Sequence, residues 1–420
     1  MVSKAVRLRN IPDNIIKRFM KCNSTKPSMG TDPEFFVADK NGKILAADTF
    51  FPSKHEPMEL HGDTREVKVF FDGIQAEFNV PQSTCRESVA YFLRIALART
   101  NNILKKNNVM LLEPSVRVRA SVLKNADPEA RIFGCAPDIN AYTLTQNTPE
   151  IDASRHMYRY AGGHIHVGMS SNYIRANSIE YKIAKTEAGH IRAIKMFDYM
   201  TGAIMVMTEK GAASKRRRAS YGSAGCFRPT PYGVEYRTPS CMWMKSPLTM
   251  SLIFGLVRLA WNLIIEDLDE EFVKLVGYSH EDVRGIINES DTVAAKKFLK
   301  TAIPYISIIS TSNHNPLSIL SLRTSKNGYL DSPTEAVKNI SAGKEIFIRG
   351  GGKPVFTLPA FLYMLKRGFN SFIDTIDNEW NFKKQNSFYT NNGIANCSYV
   401  KLEKNTDFEK FQKNFLTNTI

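Results

Sequence analysis

The segment Gly162-Gly163-His164-Ile165-His166-Val167-Gly168 alternates imidazole and β-branched side chains after a pair of glycines. Successive side chains of a β-strand point to opposite faces, so His164 and His166 share one face while Ile165 and Val167 share the other. The pattern predicts a strand over residues 162–169, with its apolar face against a core and its two histidines on a polar face.

Three further predicted strands repeat this spacing of polar side chains. If the strands are neighbours in one antiparallel sheet, carboxylates, imidazoles and a guanidinium meet on one surface. Clustered carboxylates raise one another's pKa unless a cation neutralises them, and hard oxygen ligands suit Mg²⁺, which in turn binds phosphates. A single polar pair is a common chance product of an exposed strand face, so the prediction depends on the joint occurrence. The pairs are Asp32 and Glu34, Glu77 and Asn79, and Glu235 and Arg237.

Basic residues supply the opposite charge. The run Lys215-Arg216-Arg217-Arg218 precedes Tyr221-Gly222-Ser223-Ala224-Gly225, and Arg228 and Arg237 follow. Arginine is suited to bidentate contact with phosphate oxygens, and nearby glycines allow a close approach of the backbone. The sequence therefore predicts a phosphate-facing surface here, although a basic run is also typical of a solvated face.

The remaining pattern predicts an α+β fold. The turn dipeptide Asn41-Gly42 joins predicted strands over 30–38 and 43–47, and Asp72-Gly73 divides the segment 67–80 into two further strands. Both turns indicate antiparallel hairpins. Strand-like residues cover 109–118, and an extended polar connection leads on to 162. Apolar periodicity predicts helices over 84–106, 178–209, 249–267, 280–287, 292–302, 358–369 and 407–415.

Length and charge suggest three parts. The chain has 420 residues, 43% of them hydrophobic, which is the composition of a globular protein and a length that fits two domains or one large domain with additions. We predict a basic N-terminal arm over 1–27, a catalytic domain over 28–270 and an appended, mainly helical region over 271–420. The net charge of +15 makes a polyanionic partner plausible, although we favour a solvated arm over one that binds nucleic acid.

Other features exclude several classes of protein. The six cysteines contain no Cys-x-x-Cys pair, which argues against a disulfide framework and a structural zinc site. The apolar run over 248–265 contains Arg258, so we predict a buried core helix and no membrane span. The N-terminus lacks the pattern of a secretory signal, so we expect a cytoplasmic protein, in the host cytoplasm if a phage encodes it.

The ordered motifs resemble a known family. Gly-Thr-Asp-Pro-Glu-Phe-Phe (30–36), Asp-Gly-Ile-Gln-Ala-Glu-Phe-Asn (72–79), Phe-Gly-Cys-Ala-Pro-Asp (133–138), the histidine segment, Tyr-Gly-Ser-Ala-Gly-Cys-Phe-Arg (221–228) and Glu-Tyr-Arg-Thr-Pro-Ser (235–240) look like the phage-type carboxylate–amine ligases. These are similar to glutamate–cysteine ligases in the glutamine synthetase-like superfamily. The resemblance covers about residues 30–243.

The resemblance implies a glutamine-synthetase-like antiparallel active-site sheet, packed with helices, that binds ATP with Mg²⁺ or, as a substitute, Mn²⁺. The γ-phosphate would pass to a carboxylate, and an amine would attack the acyl phosphate to give an amide, ADP and phosphate. The resemblance implies metal ligands at Asp32, Glu34, Glu77, His164 and Glu235, contacts to the transferring phosphoryl group from Arg228 and Arg237, and nucleotide or acidic-substrate contacts from Asn79, His164, His166, Arg216, Arg217, Arg218 and Tyr221. Asp32 stands where a glutamate is more usual, so its metal contact could be direct or through water.

Two other classes stay open. His164-x-His166 with a carboxylate could bind Fe²⁺ or Zn²⁺ in an oxygenase or hydrolase, but no glutamate follows the second histidine closely. A basic nucleic-acid-binding or virion protein could retain a ligase-like sheet without catalysis. The carboxylate and amine substrates, small molecules or peptides, are not identified by the sequence, and neither is the oligomeric state.

Overall fold

The computed structural model of the chain describes residues 14, 27–60, 67–84, 86–104, 107–133, 138–147, 156–169, 178–209, 211–245 and 247–310. Nearly all of the predicted basic arm, and the helices predicted over 358–369 and 407–415, lie outside these residues. In the described part of the chain, no helix combines the length and the apolar character that a membrane span requires.

Strands and helices alternate irregularly along the chain. The strands are β1 (Ser28–Thr31), β2 (Glu34–Asp39), β3 (Ile44–Leu45), β4 (Met58–Glu59), β5 (Lys68–Asp72), β6 (Gln75–Ser83), β7 (Asn108–Leu111), β8 (Ser115–Arg117), β9 (Asp138–Asn140), β10 (Gln146–Asn147), β11 (Tyr158–Tyr160), β12 (Ile165–Gly168), β13 (Cys226–Thr230) and β14 (Gly233–Tyr236). The helices are α1 (Arg86–Leu104), α2 (Ala120–Asn125), α3 (Pro128–Arg131), α4 (Ile179–Lys185), α5 (Glu187–Phe197), α6 (Ala203–Met205), α7 (Ala212–Ser220), α8 (Pro247–Ile265), α9 (Asp269–Val276), α10 (His280–Asn288) and α11 (Thr292–Ser310).

Twelve of the strands form one sheet in which neighbouring strands are antiparallel. Its central order is β10-β9-β13-β14-β12-β1-β6-β2-β3, with β5 and β4 continuing from β6 and β7 pairing with β2. Strands β8 and β11 form a separate two-stranded ribbon. The α+β prediction is therefore confirmed, and the four strands predicted to carry polar pairs all enter the same sheet.

The hairpin predictions are confirmed, but the first predicted strand is wrong in one respect. Gly42 and Gly73 adopt φ values of +75° and +72°, which a residue with a Cβ adopts at a cost. The strand predicted over 30–38 is two strands, because Pro33 has no N–H to donate to a ladder. Asp32 lies in the break between β1 and β2, where its side chain is free of the strict alternation of a strand.

Two other predicted segments also differ from the structure. The connection predicted to be extended between residues 119 and 161 contains α2, α3 and β9–β11. The helix predicted over 178–209 is broken at Thr186, whose hydroxyl accepts a hydrogen bond from the Gly189 N–H and begins α5. Residues Asp198–Gly202 then form a π-helical turn before α6.

Helices α1, α4 and α5 pack on strands of the sheet and share one core with it. Helix α8 is buried at every side chain that the structure describes, and Trp261, in its last two turns, is fully inaccessible. Phe272 of α9, Val283 of α10 and Phe298 of α11 belong to the same buried cluster as Trp261. The described part of the predicted appended region therefore packs directly on the sheet domain.

Two glycines in helices provide a matched test of this packing. A Cβ at Gly189 would lie 2.1 Å from the Lys182 carbonyl oxygen, whereas a Cβ at Gly285 would meet nothing within 4 Å. We predict that Gly285→Ala raises the free energy of unfolding by about 0.5–1 kcal/mol through helix propensity. Gly189→Ala should lower it by about 1–3 kcal/mol, because α4 and α5 must separate. Urea denaturation measures both, and equal effects of the two substitutions would contradict the close packing of α4 on α5.

Candidate active site

The central strands bring the predicted side chains into one row. In the register of the sheet, Gly30 of β1 lies opposite His166 of β12, which lies opposite Glu235 of β14, which in turn lies opposite Arg228 of β13. Directly paired residues of adjacent strands point to the same face. The polar face predicted from alternation is therefore present, and Gly30 leaves room beside His166.

Gly162 and Gly163, just before β12, bring the start of β2 close to this row. The Gly162 N–H donates to a Glu34 carboxylate oxygen, and the Glu34 N–H donates to the Gly162 carbonyl at 2.9 Å. A Cβ at Gly162 would lie 2.1 Å from His164 Nε2, and one at Gly163 would lie 2.2 Å from Trp243 Nε1. Glycine is therefore required at residue 162 by the position of the His164 ring and at residue 163 by the close approach to Trp243. Strand β12 begins only at Ile165, three residues after the predicted start.

Two groups of side chains are suited to holding a cation. Asp32, His166 and Glu235 form the first group, and in each group one possible ligand atom per residue lies within 4.8 Å of the others. His166 Nε2 lies 3.0 Å from Asp32 Oδ2. Carboxylate oxygens and imidazole nitrogen together suit Mg²⁺, Mn²⁺ and softer divalent metals.

The second group consists of carboxylates alone: Glu34, Asp72 and Glu77. Glu34 lies opposite Glu77 in the pairing of β2 with β6, and Asp72 ends β5 beside them. Asp72 was predicted only as a turn residue, in the dipeptide Asp72-Gly73. Its place in the group comes from strand pairing, because Asp72 is two residues beyond Phe70, which lies opposite Glu77.

Burial and mutual repulsion hold several of these carboxyls close to neutrality. Burial, together with the charge of Asp72, raises the pKa of Glu34 to about 7, although the Gly162 N–H opposes the shift. Burial, and then the surrounding carboxylates, raise the pKa of Glu77 well above its ordinary value. Burial would also raise the pKa of Asp32, but His166 and His164 more than offset it, and its pKa is lowered. The all-carboxylate group therefore holds its charge less readily than the first group, although Lys54 Nζ lies 3.6 Å from Asp72 Oδ1.

Arginine side chains contact Glu235 from two sides. Arg237 is buried, donates to Glu235 and to the Tyr221 hydroxyl at 2.9 Å, and lies 3.5 Å from Asp138 Oδ2. Arg228 Nη1 lies 3.2 Å from Glu235 Oε2, and its side chain is 35% exposed. Asp138 was part of a quoted motif but had no predicted role. The structure adds it to the site through Arg237.

An open cavity of about 310 Å³ adjoins the first group. Below His166, the same sheet face continues as a row of small residues, since Ser28 pairs with Gly168 and Gly168 with Gly233. These residues leave bare backbone as the floor, and Tyr232 and Lys185 form part of the wall. Among the residues that the structure describes, no acidic side chain lines the cavity, which favours a neutral or anionic group as its occupant. The lining residues are Ser28, Gly30, Gln82, His166, Gly168, Met169, Lys185, Pro231 and Tyr232.

Residues 145–276 match the phage phiEco32-like COOH.NH2 ligase-type 2 family. The match confirms the family resemblance that the motifs suggested. No curated protein and no solved structure matches the chain.

The match to this ligase family covers one half of the site. It includes His166, Arg228, Glu235 and Arg237, and supports a ligase that joins a carboxyl group to an amine. Asp32, Glu34, Asp72 and Glu77 precede residue 145, and the sheet brings them to the matched half.

His164 was predicted as a metal ligand, but it lies outside both cation groups. Its Nε2 is 2.6 Å from the Tyr221 hydroxyl, which accepts a hydrogen bond from Arg237 and so donates its own proton to His164. The Nδ1–H of His164 then faces Asp32 and Glu235, at 3.4 and 3.3 Å. Burial, with Arg237 nearby, lowers the pKa of His164 to about 4. In this arrangement a neutral His164 orients the two carboxylates through Nδ1–H and offers no free nitrogen to a cation.

The basic run of α7 is largely engaged by the protein. Arg217 donates to the carbonyls of residues 237–239, and Arg218 forms a buried ion pair with Glu209 at 2.7 Å. Arg216 stacks over Tyr158 and contacts Ser115, away from both cation groups. These contacts indicate that the basic run supports the segment after β14. They favour this structural role over the predicted contact with a nucleotide.

Tyr221 and Asn79 also differ in their surroundings. Tyr221 is buried between His164 and Arg237, so it links the two sides of the site. Asn79 is exposed on β6 opposite Lys68, two residues beyond Glu77 on the same face of the strand. The predicted nucleotide contacts of these two residues stay predictions.

A buried carboxylate on the helical side supports the site from behind. Asp198, in the π-helical turn, accepts hydrogen bonds from the Tyr236 hydroxyl at 2.7 Å and from the Gly225 N–H at 2.6 Å. Burial raises its pKa to about 6. Tyr236 lies between Glu235 and Arg237, so this anchor holds β14 with those two side chains on the active face.

The raised pKa of Glu34 predicts a specific pH dependence in the absence of divalent cations. The folded protein keeps a proton on Glu34 up to about pH 7, whereas the unfolded chain loses it near the ordinary pKa of 4.5. Stability is therefore lost as pH rises through 7, by about 1 kcal/mol between pH 6 and pH 8 for this group alone. Urea denaturation in EDTA measures the change, and Glu34→Gln should show a smaller decrease. An equal decrease in the variant would contradict the assignment.

Proposed function

We propose that the protein is an ATP- and Mg²⁺-dependent ligase that forms an amide bond between a carboxylate and an amine through an acyl phosphate. The observation that carries the proposal is the pair of cation-binding groups side by side on one sheet face, with Arg237 and Arg228 on Glu235. The match to a COOH.NH2 ligase family supports the reaction class.

The chemistry of the donor atoms fits divalent cations. Glu34, Asp72 and Glu77 present oxygen atoms only, which suits Mg²⁺, and burial, with added repulsion from neighbouring carboxylates, raises their pKa values. Asp32, Glu235 and His166 would hold a second ion, for which Mn²⁺ is also suited. Bound Mg²⁺ would neutralise phosphate oxygens and the carboxylates together.

The cavity beside His166 is a candidate binding site for part of the nucleotide. Its volume of about 310 Å³ is near the lower end for ligand sites, so it would take the base and ribose and not the whole of ATP. A flat base can lie against the bare backbone around Gly30 and Gly168. The phosphates would then extend past His166 towards the two cation groups.

The chain's own residues would act mainly by positioning and by charge. Transfer of the γ-phosphoryl group spreads negative charge over its oxygens, and guanidinium groups stabilise that charge. Arg228 is the more accessible of the two arginines, so we assign it to direct phosphate contact. Arg237, held by Glu235, Tyr221 and Asp138, would keep the local charge and geometry fixed. The acyl phosphate then loses phosphate, a good leaving group, when the amine attacks.

A transition-metal enzyme is the second candidate, because Asp32, His166 and Glu235 would also suit Fe²⁺ or Zn²⁺. It leaves the carboxylate group and the arginines without a role. Such an enzyme would purify with tightly bound metal and would not bind ATP. The nucleic-acid alternative rests on the basic arm, nearly all of which lies outside the described residues.

The first test is ATP binding by calorimetry with and without Mg²⁺, which requires no knowledge of the substrate. We expect Mg²⁺-dependent binding by the wild type and at least tenfold weaker binding by Arg228→Ala, since a charge-assisted contact to phosphate contributes about 1.5–3 kcal/mol. The matched control is Arg284→Ala. Arg284 forms an ion pair with Glu281, as Arg228 does with Glu235. The two arginine side chains are similarly exposed, at 33% and 35%. Absence of Mg²⁺-dependent binding in the wild type would overturn the proposal.

The acyl phosphate has its own test. Hydroxylamine intercepts acyl phosphates as hydroxamates, so incubation with ATP, Mg²⁺ and a panel of carboxylates should give a hydroxamate and an equal amount of ADP for the true substrate. Glu77→Gln removes one ligand of the all-carboxylate group and should reduce this yield at least a hundredfold, with its melting temperature unchanged or raised, because a buried carboxyl is replaced by a neutral isostere. ADP release with no hydroxamate from the same carboxylate would reject the intermediate.

A further inference from the structure

Tyr232 contacts the imidazole of the first cation group from the side opposite to the carboxylates. It lies in the turn between β13 and β14, and its hydroxyl is 2.6 Å from His166 Nδ1. The other ring nitrogen, Nε2, faces Asp32 Oδ2 at 3.0 Å. The imidazole is therefore held between a hydroxyl at one nitrogen and the cation group at the other.

The backbone around Tyr232 is fixed on the strand that carries His166. The Tyr232 carbonyl accepts a hydrogen bond from the Met169 N–H at 3.0 Å, and the Pro231 carbonyl accepts one from Lys185 Nζ. A Cβ at Gly168 would lie 2.4 Å from the Tyr232 carbonyl oxygen. The turn thus packs directly on the end of β12, two residues beyond His166, and this contact sets where the tyrosine ring stands.

The chemistry of imidazole indicates a role for the hydrogen bond between Tyr232 and His166. A histidine that binds a cation through Nε2 carries its proton on Nδ1, and an acceptor for that proton fixes both the tautomer and the orientation of the ring. The Tyr232 hydroxyl is placed to be that acceptor. We propose that Tyr232 is a positioning residue that holds His166 with Nε2 directed at a divalent cation shared with Asp32 and Glu235. This inference rests on the proposed function, because it assumes that a divalent cation binds there.

A purely structural role does not require this hydroxyl. The Tyr232 side chain is 41% exposed, so water can satisfy its hydroxyl if the imidazole is turned away. The turn itself is held by backbone contacts of Pro231, Tyr232 and Met169, none of which involves the hydroxyl. Tyr232→Phe should therefore fold with an unchanged melting temperature.

The test is Mn²⁺ binding measured by electron paramagnetic resonance, with spin-echo modulation to detect nitrogen coordinated to the ion. For the wild type we expect bound Mn²⁺ with an imidazole nitrogen signal, which His166→Gln removes. Tyr232→Phe should raise the Kd for Mn²⁺ at the nitrogen-coordinated site by about 10-fold or more, as loss of such an outer hydrogen bond does in metal sites. The matched control is Tyr181→Phe, which removes the hydroxyl of a tyrosine that is 38% exposed and should leave the Kd unchanged.

The outcomes separate this inference from the proposed function. A Tyr232→Phe protein with the wild-type Kd and nitrogen signal overturns the role of Tyr232. Bound Mn²⁺ in the wild type without a nitrogen signal also overturns it, because His166 is then no ligand, while the all-carboxylate group and the ligase proposal survive. Failure of the wild type to bind Mn²⁺ or Mg²⁺ would overturn both.

Discussion

The burial of several carboxylates at the centre of one sheet is the constraint on which the site depends. Each charge removed from water costs free energy, and neighbouring like charges add to that cost. The protein offsets part of the cost at Asp32 and Glu235, which face histidines and arginines. At Glu34 and Glu77 the offset is small, and the raised pKa values record the remainder. The asymmetry leaves one group close to compensating positive side chains and the other with raised pKa values.

Backbone geometry makes this concentration of charge sterically feasible. Gly162 and Gly163 allow the chain to pass so close to His164 and Trp243 that the Gly162 N–H reaches Glu34. Arg217 then ties the carbonyls of residues 237–239 together, and the Gly163 N–H donates to the Pro239 carbonyl. The loop before β12 and the segment after β14 are therefore held as one unit, from which the side chains of both strands project.

Alternation within strands was sufficient to predict which face of the sheet carries the chemistry. It placed His166, Glu235 and Arg237 correctly on one surface, because strand periodicity survives without knowledge of the partners. It could not assign Arg217 and Arg218, because a basic run looks the same whether it faces phosphate or backbone carbonyls. Asp72 and Asp138 were missed for a related reason. Their positions in the site arise from strand pairing and from Arg237, which no local pattern encodes. The role of His164 depends on a hydrogen bond from Tyr221, 57 residues away in the chain.

The division of the site between two stretches of chain has a consequence for its assembly. The group with His166 and Glu235 draws on the segment that matches the ligase family, with Asp32 as its one member from outside, whereas Glu34, Asp72 and Glu77 all lie outside. Strand β1 joins the halves, since it pairs with β12 on one side and β6 on the other, and the break at Pro33 then carries the chain on to β2. Asp32 lies in that break, at the junction of the two groups. The interruption that makes residues 30–38 a poor single strand thus lets one short segment supply a carboxylate to each group.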